Sequence, residues 1–114
     1  MRFLSIYKCG ETGQPPSPEY IAQMQKLVED HMKRGTLLAT EGCLPTALGA
    51  RVRRDNGQLI VTDGPFAEAK EVVGGFAILQ AISKEHAIEL AKEFLAVAGN
   101  GECEIRQIYE GPNC

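Results

Sequence analysis

Residues 74–95, GGFAILQAISKEHAIELAKEFL, contain the two elements that decide the fold. Residues 76–82 are apolar on both faces, which is typical of a strand in the centre of a sheet. Ser83 then caps a helix. The apolar side chains of this helix recur at three- and four-residue spacing and form one stripe: Ala87, Ile88, Ala91, Phe94 and Leu95. This stretch therefore predicts a central strand followed by a helix that packs on the sheet.

The same strand–helix order occurs near the N-terminus. Residues 2–8 alternate between two faces, as a strand does. Ser17-Pro18-Glu19 then predicts a helix start, because it combines a side-chain cap, a proline in the first turn and an acidic residue near the positive end of the helix dipole. Gly35 is a helix stop, and residues 36–43 resume as a strand.

A β-hairpin separates these two halves. Residues 50–54 and 58–62 are strand-like and are joined by Asp55-Asn56-Gly57, whose Asn-Gly pair favours a type I′ turn. A last strand is predicted over 104–109. The order β-α-β, hairpin, β-α-β predicts an α+β fold of the ferredoxin-like split βαβ type with an inserted β-hairpin, and a single domain over residues 1–114.

Two helices cover only one face of such a sheet. The other face is predicted to carry Phe3, Tyr7 and either Phe76 or Leu79. Apolar surface left in water costs roughly 25 cal/mol per Å². We therefore expect a second copy to cover this face, which predicts a homodimer whose sheets pack together as a dimeric α/β barrel.

Composition narrows the class of protein. The 114 residues carry a formal net charge of −3, which argues against a nucleic-acid partner. No apolar run approaches the roughly 20 residues that span a membrane, and no signal peptide is recognised, so we expect a cytoplasmic protein without a membrane partner. The one basic cluster, Arg51 with Arg53 and Arg54, is interpreted as a solvated strand face, with an anion site as the alternative.

The cysteines and histidines do not form a metal-binding pattern. The four cysteines, Cys9, Cys43, Cys103 and Cys114, show no C-x-x-C spacing and are expected to be reduced. Neither histidine has a second histidine or carboxylate at ligand spacing. No glycine-rich nucleotide loop is present. The sequence therefore predicts no metal and no cofactor.

Residues 61–76, VTDGPFAEAKEVVGGF, resemble the YCII-related family, in the branch marked by an Asp-Gly-Pro-Phe motif. The flanking segments agree with this resemblance: Met1-Arg2-Phe3, Ser17-Pro18-Glu19, Leu37-Leu38 and Glu104-Ile105-Arg106. The resemblance implies a dimeric α/β barrel of ferredoxin-like subunits and no settled activity, with many branch members encoded near extracytoplasmic-function sigma factors. The wider family's suspected His–Asp pair corresponds here to Met24 and residues 92–93, so this pair is not carried over.

Four residues are candidates for catalysis. Asp63, Lys70 and Glu71 lie in the Asp-Gly-Pro-Phe loop, where a carboxylate beside a lysine suits a base with an oxyanion-stabilising partner. The alternative for Asp63 is structural, with its carboxylate bonded to backbone amides two residues further along the turn. His31 lies at the edge of the first helix stripe, where a histidine is more often structural than catalytic.

Three further residues are candidates for ligand binding. Tyr7 and Glu41 are predicted strand residues that would offer polar groups in an apolar inter-sheet pocket, and Phe66 belongs to the Asp-Gly-Pro-Phe motif. Two functions remain open. One is a cofactor-free enzyme that acts on a small organic substrate by acid/base chemistry. The other is a non-catalytic ligand-binding or regulatory module linked to a sigma-factor stress response.

Overall fold

The computed structural model describes residues 1–111 of the chain, and these form an α+β fold of ferredoxin-like topology. Six strands and two helices lie within this range. In chain order they are β1 (Arg2–Cys9), α1 (Pro18–Lys33), β2 (Leu37–Gly42), β3 (Ala50–Asp55), β4 (Gln58–Asp63), β5 (Val72–Gln80), α2 (Lys84–Ala98) and β6 (Glu102–Gln107). A short 3₁₀ helix, Thr46–Leu48, precedes β3.

The main sheet has four strands in the order β2-β5-β1-β6, and all its neighbours are antiparallel. The central position predicted for the strand after Gly74-Gly75 is confirmed, because β5 lies between β1 and β2. The strands β3 and β4 pair only with each other and form a separate two-stranded sheet. The hairpin is thus an insertion into the split βαβ pattern.

The predicted helix ends are confirmed. The Oγ of Ser17 accepts the amide of Tyr20 at 3.1 Å, with Pro18 as the first helical residue. At the other end, Gly35 adopts φ = 76°, a left-handed conformation that favours glycine. The Oγ of Ser83 accepts the amide of His86 at 3.0 Å and caps α2. Each helix therefore begins where its own side-chain cap satisfies a free amide.

The predicted hairpin turn is also confirmed. Asn56 has φ = 50° and Gly57 has φ = 79°, so both central residues are left-handed, as a type I′ turn requires. The turn connects Asp55 directly to its cross-strand partner Gln58. Every residue of β3 and β4 is exposed.

The hydrophobic core lies between the helices and one face of the sheet. It contains Phe3, Leu37, Leu79, Ala81, Ala87 and Leu90. The prediction that Phe3 and Tyr7 lie on the uncovered face was wrong, whereas of the two alternatives Phe76 and Leu79 it is Phe76 that lies there. Phe3 is 1% exposed and Leu79 is 8% exposed, both in the hydrophobic core, and Tyr7 shares their face. Alternation shows which residues share a face, but not which face the helices cover.

The uncovered face carries the alternate set of side chains. The register pairs Ile6 with Phe76 and Leu4 with Ile78, so these four apolar residues share the face away from the helices. Phe76 remains 36% exposed. We call this surface the open face. The predicted dimerisation rests on an apolar face of this kind, and the dimer itself stays a prediction.

Three further observations concern the described residues. No helix among residues 1–111 is long and apolar enough to cross a membrane. Cys9, Cys43 and Cys103 are free thiols, and Cys114 lies outside the described residues. Within residues 1–111, no three His, Cys, Asp or Glu side chains are grouped so that they could hold a metal ion. The prediction that the protein binds no metal stays a prediction.

Candidate functional site

A cavity of about 380 Å³ lies between the two helices and the covered face of the sheet. Its walls are mostly aliphatic and aromatic, because the apolar stripes of both helices face it. They include Met24, Leu27 and Val28 of α1 and Leu90 and Phe94 of α2. Cavities of roughly 300–1,000 Å³ with apolar walls and a few polar groups are typical of small-molecule sites. This cavity lies within one chain, whereas the pocket expected from the sequence lies between two sheets.

Tyr7 provides the polar group at one end of the cavity. Its hydroxyl donates to the carbonyl oxygen of Asn100 at 3.0 Å. Two glycines make room for the ring: a Cβ at Gly74 would lie 3.3 Å from Tyr7 Cδ2, and one at Gly101 would lie 2.6 Å from Tyr7 Cε1. The Tyr7 ring is thus held in place by backbone that approaches it from β5, at Gly74, and from the loop before β6, at Gly101.

The hydroxyl and thiol groups near the Tyr7 end of the cavity are uncharged at neutral pH. Burial, followed by the neighbouring Cys9 and Tyr20, raises the pKa of Tyr7 to about 12. Burial is also the main cause of the raised pKa of Tyr20 and of the raised pKa of the Cys103 thiol. These groups can therefore exchange hydrogen bonds with a bound molecule without presenting a charge to it.

His31 borders the cavity where the C-terminal end of α1 meets α2. It is 8% exposed, with Nδ1 at 2.8 Å from Thr36 Oγ1. Nε2 lies 3.5 Å from Oε2 of Glu93, whose other oxygen is 3.8 Å from Arg34. The expected helix-edge histidine is therefore a buried residue that links the two helices.

A second, more open groove of about 710 Å³ lies at the base of the hairpin. Phe66 and Glu71 border it, together with Lys8 of β1. The guanidinium of Arg51 lies 3.8 Å from the centre of the Phe66 ring and pairs with Glu68 at 2.5 Å. Arg51 is therefore neutralised within its own chain, which disfavours the alternative of an anion site at this arginine.

The Asp-Gly-Pro-Phe loop is held by Thr46. Thr46 donates its amide and its hydroxyl to the carboxylate of Glu11, at 2.6 and 2.7 Å, and its hydroxyl oxygen accepts the amide of Phe66 at 3.2 Å. These hydrogen bonds lower the pKa of the Glu11 carboxyl group. A Cβ at Gly64 would overlap the carbonyl oxygen of Thr46, so only glycine fits there. The Gly64–Pro65 peptide bond is cis.

The prediction that the Asp63 carboxylate accepts hydrogen bonds from backbone amides two residues further along the turn was wrong. The residue two positions further is Pro65, which has no amide hydrogen, and the next amide, of Phe66, donates to Thr46. Asp63 is exposed at the end of β4, and within residues 1–111 its carboxylate accepts no hydrogen bond. A role of Asp63 in a pocket stays a prediction.

The predicted site residues fall into separate places. Tyr7, Glu41 and His31 border the cavity, whereas Phe66 and Glu71 border the groove at the base of the hairpin. Glu41 lies at the edge of the cavity, and its pairing with Phe76 places its side chain on the open face. The site assignments themselves stay predictions.

The remaining two catalytic candidates lie outside both cavities. Asp63 and Lys70 are exposed on the loop side of the hairpin and border neither the cavity nor the groove. Lys70 lies one residue from Glu71, and within residues 1–111 the two form no ion pair. The structure therefore does not bring a carboxylate and a lysine of this loop together with His31.

Several residues that form the cavity were not among the predicted site residues. Tyr20, Met24 and Phe94 line it, and Glu93 contacts His31. The only signal for them was the amphipathic pattern of the helices, which indicates core packing and a cavity wall equally well. Contacts between the two helices depend on how the helices are placed on the sheet, which the pattern does not specify.

Comparison with known proteins agrees with the topology. The YCII-related domain pattern matches residues 1–111. The chain belongs to the YCII-related family. A relative from Rhizobium meliloti (strain 1021), described as uncharacterized, is 33% identical over 79 residues, which is 68% of this YCII-related chain and 64% of that relative. Membership of the Asp-Gly-Pro-Phe branch stays a prediction.

Proposed function

We propose that this YCII-related protein binds a small, mainly apolar organic molecule in the cavity between the helices and the sheet. One observation carries the proposal: an apolar cavity of about 380 Å³ ends at the neutral hydroxyl of Tyr7, which two glycines and Phe94 hold in place. The apolar part of a ligand would fill the cavity, and a single polar group on the ligand would hydrogen-bond to the hydroxyl of Tyr7.

The chemistry of the cavity favours binding over the acid/base reaction that was the other expectation. An enzyme of that kind needs ionisable groups with altered pKa values that converge on the substrate. Here the altered groups that face the cavity, Tyr7 and Tyr20, are shifted towards their neutral forms. The loop candidates Asp63 and Lys70 are exposed and do not line the cavity.

One contact supports the enzyme as a second candidate. His31 borders the cavity, is buried, and has a carboxylate of Glu93 at 3.5 Å from Nε2. A histidine positioned by Thr36 and Glu93 is the group that would move a proton to or from a bound molecule. In this reading His31 is the base and the Asp-Gly-Pro-Phe loop has no catalytic part.

The test compares two variants of α1. Met24 is half-buried and lines the cavity, whereas Ile21 on the same helix is 43% exposed. A panel of small neutral aromatic and aliphatic compounds is screened by thermal shift, because a ligand at 100 times its dissociation constant stabilises the native state by about 2.7 kcal/mol. We expect Met24→Trp to fill the cavity and abolish the shift, and Ile21→Trp to keep it.

Two results would contradict binding in this cavity. One is that no compound stabilises the wild-type protein, and the other is that hits stabilise Met24→Trp as much as wild type. To distinguish the enzyme, each hit is incubated with wild type and with His31→Gln, and its conversion is followed by mass spectrometry. Conversion by wild type that is lost in His31→Gln, with binding retained, would support the enzyme.

We also propose that the protein is a homodimer formed through the open face. Leu4, Ile6, Phe76 and Ile78 place four apolar side chains on this face, which no helix of the chain covers within residues 1–111. A second copy would bury this surface by packing sheet against sheet. We further propose that the protein is cytoplasmic, that residues 1–114 form a single domain and that it has no nucleic-acid partner.

A further inference from the structure

The β3–β4 hairpin projects from the body of the molecule. The Cα radius of gyration is 16.0 Å, whereas a compact domain of this length has a radius of about 13 Å. All six residues of each hairpin strand are exposed. A two-stranded hairpin in water is marginally stable at best, so a long exposed one indicates that another surface covers it.

One face of the hairpin is aliphatic. Val52 lies directly opposite Val61, and Leu59 lies opposite Arg54, so these four side chains share one face. Val52, Leu59 and Val61 are 71%, 73% and 64% exposed. The other face carries the neighbouring residues of the same strands, among them Arg53 and Ile60. We call the first of these the aliphatic face.

Arg54 on the aliphatic face and two carboxylates on the open face are charges of opposite sign. Within residues 1–111, Arg54 forms no ion pair, whereas Arg51 pairs with Glu68. On the open face, Glu41 of β2 and Glu102 of β6 form no ion pair in the same range, although Glu104, two residues from Glu102, pairs with Lys8. The aliphatic face also carries the carboxylate of Asp63, at the opposite end of β4 from the turn. Arg54, next to the turn, and an unpaired carboxylate of the open face therefore have opposite charges that two copies could pair.

The hairpin would enlarge the surface that the open face offers to a second copy. Four strands about 4.8 Å apart, with six residues each at about 3.3 Å, cover roughly 400 Å² in projection. A specific interface buries about 800 Å² of each partner. The hairpin has two further strands of the same length and adds about half as much again. The exposed Leu44 and Leu48 at its base extend the apolar surface.

We infer that the hairpin is a dimerisation arm, and that its aliphatic face packs on a second copy of this chain. Val52, Leu59 and Val61 would bury against the apolar side chains of the open face of the partner. Glu41 and Glu102 lie on opposite edge strands of the open face, β2 and β6, so Arg54 would meet one of these two free carboxylates. This inference rests on the proposed homodimer, and it is independent of the proposed ligand.

Adjacent residues of one strand provide the test, because their side chains point to opposite faces. Leu59→Glu places a charge on the aliphatic face, and Ile60→Glu places the same charge on the other face. The dimer dissociation constant is measured by sedimentation velocity over a dilution series. We expect Leu59→Glu to raise this constant at least about 30-fold, as the loss of an interface hot spot does, and Ile60→Glu to raise it less than about threefold.

A second pair of variants tests the charge contact. Arg54→Glu should weaken the dimer and Arg53→Glu, on the other face, should not. Adding Glu41→Lys or Glu102→Lys to the Arg54→Glu chain should restore dimerisation. If neither Glu41→Lys nor Glu102→Lys restores dimerisation of the Arg54→Glu chain, the charge pairing is contradicted. Circular dichroism melts check that the variants fold. We expect the melts to match those of wild type, because the substituted positions are exposed.

The outcomes separate this inference from the dimer that it assumes. If wild type is a dimer, and Leu59→Glu and Arg54→Glu leave its dissociation constant unchanged, the arm is wrong and the open-face dimer stands. If Leu59→Glu and Ile60→Glu weaken the dimer equally, the aliphatic face is not the contact and the inference is wrong. If wild type is a monomer at its highest soluble concentration, both the arm and the dimer are wrong.

Discussion

The rings of Tyr7 and Phe94 meet in a T-shaped contact, with centroids 5.1 Å apart and planes at 78°. Tyr7 belongs to a central strand and Phe94 to α2, so the contact joins the sheet to the second helix at one end of the cavity. Aromatic pairs of this geometry are worth about 0.5–1.5 kcal/mol beyond their buried area. The position of the Tyr7 hydroxyl thus depends on a contact between distant parts of the chain.

Tyr7→Phe keeps the ring contact and removes only the hydroxyl. We expect the free energy of unfolding to fall by about 0.5–1.5 kcal/mol, because the carbonyl of Asn100 loses its donor. Tyr20→Phe is the matched control, since within residues 1–111 the Tyr20 hydroxyl forms no hydrogen bond, and it should cost less. Urea unfolding of both variants measures the difference. Equal costs would show that the Tyr7 hydrogen bond does not stabilise the fold.

The raised pKa of Tyr7 predicts a loss of stability at alkaline pH. Its pKa is about 12 in the folded protein against an ordinary value of 10.0, so folding favours the neutral phenol. This contribution is fully present below pH 10 and is lost as the pH rises through 12. In Tyr7→Phe the decline between these values should be shallower. A small slope should remain, because the pKa values of Tyr20 and Cys103 are raised as well. Unfolding free energies at several alkaline pH values measure both slopes, and identical slopes would contradict the prediction.

Gly101→Ala should disturb the cavity more than Gly99→Ala does. A Cβ at Gly101 would lie 2.6 Å from Tyr7 Cε1 and 2.7 Å from the carbonyl oxygen of Lys8, whereas a Cβ at Gly99 meets nothing within 4 Å. Both glycines have positive φ, so both variants carry backbone strain. We expect Gly101→Ala to cost about 1–3 kcal/mol beyond its control, the range for overpacking. Thermal unfolding and near-ultraviolet circular dichroism of tyrosine report the cost and the displaced ring.

Ile6→Glu should dissociate the proposed homodimer. Ile6 lies in the centre of the open face, next to Phe76, so a buried carboxylate there would have no partner. Ile21→Glu, at an exposed position of α1, is the control. Light scattering coupled to size exclusion should give about twice 12.4 kDa for wild type and for the control, and about 12.4 kDa for Ile6→Glu. A dimer that persists in Ile6→Glu would place the interface elsewhere.

Asp63→Asn and Asp63→Ala should change the free energy of unfolding by less than about 0.5 kcal/mol, because exposed side chains without hydrogen bonds contribute little. If Asp63 serves a ligand, the two variants should lose the thermal shift that a hit from the compound screen produces in wild type. An unchanged shift would remove Asp63 from the binding site. Thermal melts with and without the hit decide between these results.

Much of the fold follows from local patterns in the sequence. Each helix start depends on a cap within three residues, Ser17 with Tyr20 and Ser83 with His86. The hairpin depends on Asn56-Gly57, whose backbone conformation is a property of those residues. Caps, turns and periodicity act over a few residues, so a single sequence is enough to predict them.

The sequence by itself determined that Phe3 and Tyr7 share one face of β1 and that the strand after Gly74-Gly75 is central. Only the tertiary structure decided that the helices cover the Phe3 face, which left Ile6 and Phe76 open. The physical reason is that alternation is symmetric between the two faces of a strand, and helix packing breaks this symmetry. The cavity, the Tyr7–Phe94 contact and the His31–Glu93 pair join residues far apart in the chain, so they depend on that packing alone.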